Sequence, residues 1–291
     1  MNPIGVDVSA WDSTDEKPIQ WGIAYSHGIR FATIRAATGL NPDPRYQANS
    51  NGAGAVGIHV VPYGYMTFKE DPIKQAEAFL RNVHWADLPP MLDLEEYGKN
   101  KAFGGVYKTA IKHWLVYVEE MTGIQPIVYS SPGFVSQFLS KDTEISQYPL
   151  IVANYKASYP AQCLPWIPTR WLAWQFIDGY DAQYFGFTGA KGCAPYVWQG
   201  ELEPWVKEWR GDIAIPPPPP FEERLARVIN ASTLRIRTWK EGNPAPYDII
   251  GKLRGGDVVT VYREREDSDG NTWAQISFVG LFNWVARINR G

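Results

Sequence analysis

The stretch PMLDLEEYG, residues 90–98, sets Asp93 and Glu95 two positions apart in an otherwise apolar run. Side chains two apart on a strand share a face, so both carboxylates point one way while Leu92 and Leu94 point the other. Acids are seldom fully buried unless they are paired or working. On a half-exposed edge strand the polar face would simply meet water. In a barrel of parallel strands the outer face packs on helices, and acids near a strand's C-terminal end stand in the mouth where such barrels place their active sites. The flanking sequence weighs between these readings.

Upstream and downstream of this stretch, short apolar runs alternate with helical patterns. The runs are IGVDVS, FATIRAA, HVVPYGYM, PPMLDLE, PIVYSS, LIVANY and WLAWQF. Asp71-Pro72 reads as an N-cap with proline at the first helical position, followed by the stripe Ile73, Ala76, Leu80 and Val83. Tyr107, Ile111, Trp114, Val118 and Met121 form a second stripe that Gly123 ends, and Ser131-Pro132 opens a third helix. Repeated strand-helix alternation predicts an α/β fold with a parallel sheet. Seven or eight strands in this length predict a modified TIM-like (β/α) barrel that lacks some of its helices.

The polar pattern of PMLDLEEYG recurs on the other strands, which favours the barrel over the edge strand. Asp7 lies between valines on the first strand, and Arg35 occupies a similar place on the second. Tyr65, Tyr129, Tyr155 and the pair Trp174-Gln175 follow on the third, fifth, sixth and seventh. Taken singly, each aromatic reads as core before it reads as a ligand contact. Together at one mouth they make a sugar cleft, with flat rings stacked on pyranose faces and carboxylates and amides holding hydroxyls.

Composition narrows the function. The chain has 291 residues, a net charge of -3, 45% hydrophobic residues and no long basic run, so it carries no electrostatic footprint for nucleic acid. No stretch reaches the roughly 18 apolar residues of a membrane-spanning helix. The start, MNPIGVDVSAWD, has neither the basic nor the apolar region of a signal peptide, which predicts synthesis in the cytoplasm and action on an outside target only after release. Cys163 and Cys193 form no CxxC, and His27, His59, His84 and His113 lack ligand spacing, so neither a metal nor a cofactor is expected. The cysteines read as buried small hydrophobes. Residues 52–57, GAGAVG, match a dinucleotide fingerprint but precede a strand instead of following one, and the match is rejected.

A run of five prolines, 216–220, adopts polyproline II and marks a stiff boundary. The expected organisation is a catalytic barrel over 1–212, a proline-rich linker over 213–222 and a small all-β domain over 223–291. Before Phe221 the chain has 17 basic and 22 acidic residues, and from there on 11 and 9. The small domain shows the strand-like runs LRIRT, DIIGKL, DVVTVYRE, TWAQIS and LFNWVAR between turn residues.

GVDVS, the strand with Arg35, YGYM with Tyr65, PMLDLE, TGIQPIVYSS, YPLIVANY and WLAWQF, in that order, resemble glycoside hydrolase family 25, the Chalaropsis-type lysozymes. The resemblance covers about residues 3–177. It implies hydrolysis of the bond between N-acetylmuramic acid and N-acetylglucosamine in bacterial peptidoglycan, with Glu95 as general acid, Asp93 as its acidic partner, Asp7 as the first-strand acid and Tyr65 at the cleft. The family's closing strand resembles V-D-x-N, whereas this chain reads GYDAQYFGFTGAKGCAPYVWQGELEPW. Asp178 and Asp181 are the nearby acids, and Val197-Trp198 is the candidate for the strand itself. The segment from ARVINASTLRIRT to GLFNWVAR resembles bacterial SH3-like domains, which implies a wall-binding module with Trp239, Tyr247, Trp273 and Trp284 as candidate groove residues. The layout resembles a phage or prophage endolysin, which implies a holin for release.

A general acid needs a raised pKa, which a neighbouring ionised carboxylate provides, so Glu95 beside Asp93 fits that role. Two acids on one face of one strand do not flank a glycosidic bond as ordinary retaining or inverting pairs do. Their spacing suits attack by the sugar's own N-acetyl oxygen, with Asp93 orienting the amide. In the rival route Asp7 binds water across the cleft. A glycosidase acting on chitin-type glycans and an inactive wall-binding barrel are the other functional readings.

Overall fold

The computed structural model describes residues 2–98, 100–102, 106–155, 157, 160–161, 163–166, 171–187, 189, 193–207 and 209–210, and further on the strand segments 224–227, 233–237, 249–254, 257–266, 272–278 and 281–286. The chain divides into two compact units, Met1–Ile215 and Pro216–Gly291. The proline run itself lies outside the described residues, as do Trp239 and Tyr247.

Eight strands close the first unit into a barrel. They are β1 (Ile4–Val8), β2 (Ile29–Thr38), β3 (His59–Tyr65), β4 (Met91–Leu94), β5 (Ile127–Ser130), β6 (Leu150–Ala153), β7 (Trp171–Gln175) and β8 (Pro195–Trp198). Strands β1 to β7 pair in parallel in chain order, and β8 runs antiparallel to both β7 and β1, closing the ring. The all-parallel sheet expected from alternation is corrected at this strand. A parallel crossover needs a helix-sized connection. Between β7 and β8 the described residues hold only the short turn Gln183–Phe185, so the chain returns in the opposite direction.

Helices α1 (Trp21–Ser26), α2 (Tyr46–Ala55), α3 (Pro72–Asn82), α4 (Val106–Thr122) and the short α5 (Pro132–Phe134) surround the strands. The expected cap holds: Asp71 Oδ1 accepts from the N–H groups of Ile73 and Lys74 at 2.9 and 3.0 Å. The α3 and α4 rings Phe79 and Trp114 pack 5.2 Å apart, and both press on Gly64 of β3, where a Cβ would come within 3.3 Å of each. Leu92 and Leu94 are fully buried on the outer face of β4. Residues 52–57 sit at the end of α2 and its turn into β3, the order in which no dinucleotide loop forms.

The inner face fills with side chains of one parity from each strand: Phe31, Val61, Tyr63, Met91, Ile127, Tyr129, Ile151, Ala173, Tyr196 and Trp198. The Phe31 ring reaches across to Gly5, where a Cβ would collide with it. This apolar plug floors the mouth at the strands' C-terminal ends.

The second unit contains a six-stranded antiparallel sheet: β9 (Arg224–Arg227), β10 (Thr233–Arg237), β11 (Ile249–Arg254), β12 (Val258–Glu266), β13 (Thr272–Phe278) and β14 (Leu281–Ala286), in the order β9-β12-β13-β14-β10-β11. Leu253, Val261, Ala274 and Ile276 are buried in it.

Candidate active site

Strand register brings the acids to one place. Tyr65 pairs with Asp93, and Asp93 with Tyr129 across β3, β4 and β5, while Asp7 pairs with Thr33 across β1 and β2. Asp93 is only 7% exposed, and its Oδ1 has no hydrogen-bond partner among the described residues. Burial first, then the nearby charges of Glu95 and Asp7, push its pKa well above the usual carboxylate range, while Arg35 works the other way. Glu95, just past the end of β4, is half-buried, and burial raises its pKa as well.

Both carboxyls therefore hold a proton more readily than a free acid does, and they titrate as a pair. The raised pKa expected of Glu95 has burial as its cause, and the same desolvation raises its partner Asp93. Asp7 is raised to about 7, chiefly by burial, with Asp12 and Glu95 adding to the rise and Thr33 and Arg35 opposing it. Thr33 Oγ1 donates to Asp7 Oδ1 at 2.7 Å, and the Tyr196 hydroxyl donates to the same oxygen at a longer 3.5 Å.

The other expected residues divide. Gln175 Oε1 accepts from the hydroxyls of Tyr129 and Tyr155 at 2.7 and 2.6 Å, so these three form one polar knot beside the acids. The Tyr65 hydroxyl accepts from Asn100 Nδ2 at 3.0 Å. Arg35 Nε donates to Asp43 Oδ2 at 2.8 Å, a pairing on the rim of the site, and its charge also favours the ionised forms of Asp7, Asp12 and Asp93. Trp174 is a correction. It lies on the face of β7 opposite Gln175, with its ring edge-on to Phe176 and Nε1 donating to the Asn154 carbonyl at 2.9 Å. Adjacent strand residues point to opposite faces, so the two could not both enter the cleft.

Five further residues belong to the site. Thr33 and Tyr63 lie two positions before Arg35 and Tyr65, and the same alternation exposes them as inward. Tyr196 enters from β8, and no rule on its own segment fixed that register. Asp43 and Asn100 come from loops without periodicity. Asn100 Nδ2 donates to Met66 O at 2.8 Å as well as to Tyr65, and its Oδ1 accepts from Phe68 N at 2.9 Å, tying the β3 and β4 loops together.

The inner positions of β8 are Tyr196 and Trp198, so this strand contributes no carboxylate to the interior. Asp178 is exposed in the loop after β7, close enough to Tyr155 to raise that phenol's pKa. Asp181 caps the following turn by accepting from Gln183 N at 3.0 Å. Cys163 and Cys193 are both buried and free. Among the described residues no cluster of His, Cys, Asp and Glu could hold a metal, and no helix is long and apolar enough to cross a membrane.

A carboxyl pair at a barrel mouth, one member buried and one half-buried, ringed by tyrosines and an amide, suits proton transfer to a sugar's leaving oxygen. The family model for glycosyl hydrolases family 25 matches residues 6–183. The N,O-diacetylmuramidase of Chalaropsis sp. is 29% identical over 194 residues, spanning 60% of this chain and 88% of that protein. The lysozyme structure from Streptomyces coelicolor shares the fold at a TM-score of 0.62 and 21% identity, over 74% of this chain and 97% of that one. The structure of the CTP1L endolysin does so at 0.55 and 21%, over 68% and 67%. The chain belongs to glycosyl hydrolases family 25 and is a glycoside hydrolase of the lysozyme type.

Proposed function

We propose that the protein is an N-acetylmuramidase that cleaves the β-1,4 bond between N-acetylmuramic acid and N-acetylglucosamine in bacterial peptidoglycan. The observation that carries this reading is the same-face pair Asp93 and Glu95 at the mouth of a family 25 barrel, both with pKa values raised by burial.

That geometry suits a substrate-assisted route. When the acetamide of the bound sugar reaches Asp93, its N–H donates to the Asp93 carboxylate, and Glu95 holds the proton of the pair. The acetamide oxygen then attacks the anomeric carbon while Glu95 gives its proton to the departing glycosidic oxygen. Water later opens the cyclic intermediate, with Glu95 taking up one of its protons, so the anomeric configuration is retained. Asp7, held by Thr33 and Tyr196, lies across the mouth and shapes the field. The Tyr129-Tyr155-Gln175 knot orients hydroxyls on the β5 to β7 side.

The protein acts on the wall as an endolysin-type enzyme, a reading supported by the fold shared with the CTP1L endolysin. In it, the second unit is an SH3-like wall-binding module and a holin opens the way to the wall. The six-stranded antiparallel sheet suits such a module.

The test is reducing-sugar release from purified peptidoglycan, and from chitin oligomers in parallel, by the intact protein and by Glu95→Gln. Expected are new muramic acid ends, reducible by borohydride and formed with retention, with a loss of roughly 10²-fold or more in the variant. Ends on N-acetylglucosamine, or preferential chitin cleavage, would replace the muramidase reading. Binding without release by the wild type would make the barrel a wall-binding scaffold, and inversion would restore Asp7 as the group that positions water.

A further inference from the structure

The two most exposed large apolar side chains among the described residues are Trp11, at 82%, and Tyr97, at 80%; the next, Leu164, is at 54%. Both stand on loops that leave acid-bearing strands. Trp11 follows Asp7 by four positions and Tyr97 follows Glu95 by two.

Neither loop is loose. Four successive backbone N–H groups around Trp11 are all engaged: Ser9 N with Asp12 Oδ2 at 2.7 Å, Ala10 N with Asp43 Oδ2 at 3.1 Å, Trp11 N with Ser9 Oγ at 3.3 Å and Asp12 N with Ser9 O at 3.1 Å. Asp43 is the carboxylate that also holds Arg35, so the loop is fastened to the cation on β2. At the other side Asn100 N donates to Tyr97 O at 2.9 Å, and Ala102 N donates to Glu96 Oε1 at 2.7 Å. Asn100 also donates from Nδ2 to the Tyr65 hydroxyl at 3.0 Å, so the Tyr97 turn is fastened beside the mouth. A fixed loop that holds a flat ring out in water is built to meet something flat.

We propose that Trp11 and Tyr97 are sugar-stacking platforms that extend the cleft on two sides of the acids, so that the protein engages a glycan strand longer than the two sugars of the cleaved bond. The occupant follows from the site between them. A chain crossing from the β1 loop to the β4 loop must pass over Asp7, Asp93 and Glu95, and pyranose rings present apolar C–H faces to an indole or phenol ring while their hydroxyls stay wet. In the closed ring β1 and β4 are three strands apart, roughly 14 Å along the wall. That separation sets the two rings on different sugars of one strand. The inference rests on the proposed glycan-cleaving function for its ligand.

The test uses the intact chain carrying Glu95→Gln, so that nothing is turned over, with calorimetric titration of a peptide-free hexasaccharide of alternating N-acetylglucosamine and N-acetylmuramic acid and of the matching disaccharide. Adding Trp11→Ala or Tyr97→Ala is expected to weaken hexasaccharide binding about tenfold, which is about 1.4 kcal/mol, and disaccharide binding less than about twofold. Trp11→Phe should keep most of the affinity, while Trp11→Leu, apolar but not flat, should lose it. Both side chains are exposed, so these substitutions leave the fold intact, and any glycan binding by the second unit is common to all the variants. Unchanged hexasaccharide affinity, equal losses for both lengths, or no hexasaccharide binding by the parent would overturn the platforms. If the wild type releases no sugar from walls yet hexasaccharide binding still depends on Trp11, the platforms stand and the muramidase reading falls.

Discussion

Asp7 is the residue at which the site's electrostatics can be read from outside. Its pKa of about 7 in the folded barrel stands above the value of 3.8 it has without the fold. A carboxyl raised in this way binds its proton more tightly folded than unfolded. Its contribution to stability is therefore fully present below pH 3.8 and is lost as the pH rises towards 7. Asp7→Asn removes that loss and keeps an acceptor for Thr33. The variant should be more stable than the wild type at pH 8, on the order of 4 kcal/mol at about 1.4 kcal/mol per pH unit between 3.8 and about 7, and indistinguishable near pH 3.5. Urea titrations at the two pH values check this, and a pH-independent difference would mean that packing, not charge, sets the cost. The positions of Asp93 and Glu95 were legible because a period of two needs no tertiary information. The burial that raises both their pKa values was not, since that depends on depth in the barrel, a property of eight strands together.

At the level of elements, the barrel closes because its interior is filled, and where β1 pairs with β2 the Phe31 ring lies so close to Gly5 that a Cβ there would collide with it. Gly5 exists to admit the Phe31 ring. Gly5→Ala should destabilise the barrel by about 1 to 3 kcal/mol, the usual cost of overpacking. Gly5→Ala combined with Phe31→Leu should recover part of the cost, giving a double-mutant coupling that independent sites do not show. Urea midpoints of the single and double variants measure it, and additive losses would show that the ring had room to move. The parallel strands β1 to β7 were legible from alternation between helical stripes. The antiparallel β8 was not, because PYVW is short and apolar throughout and no helix pattern before it announces or forbids a crossover. Trp174 shows the converse: the alternation that paired Asp93 with Glu95 also separates Trp174 from Gln175, and aromatic character alone suggested otherwise.

On the scale of the whole molecule, a buried mouth that works on an insoluble polymer gains little from affinity for one bond. Its rate depends on how often the mouth is near a strand. The second unit has its own sheet and its own buried residues, and the sequence of the five prolines 216–220 reads as a stiff polyproline II spacer. A module holding the wall at one end of such a spacer raises the local concentration of strands at the barrel without any new contact to the cleaved bond. Ending the chain at Asp212 should therefore lower clearance of intact walls by at least about tenfold, while turnover of a soluble hexasaccharide stays within about twofold of the full chain's. The two substrates separate the causes. A barrel harmed by truncation would lose both activities together, a second unit with no hold on the wall would leave both unchanged, and only a tether makes insolubility of the substrate the deciding variable.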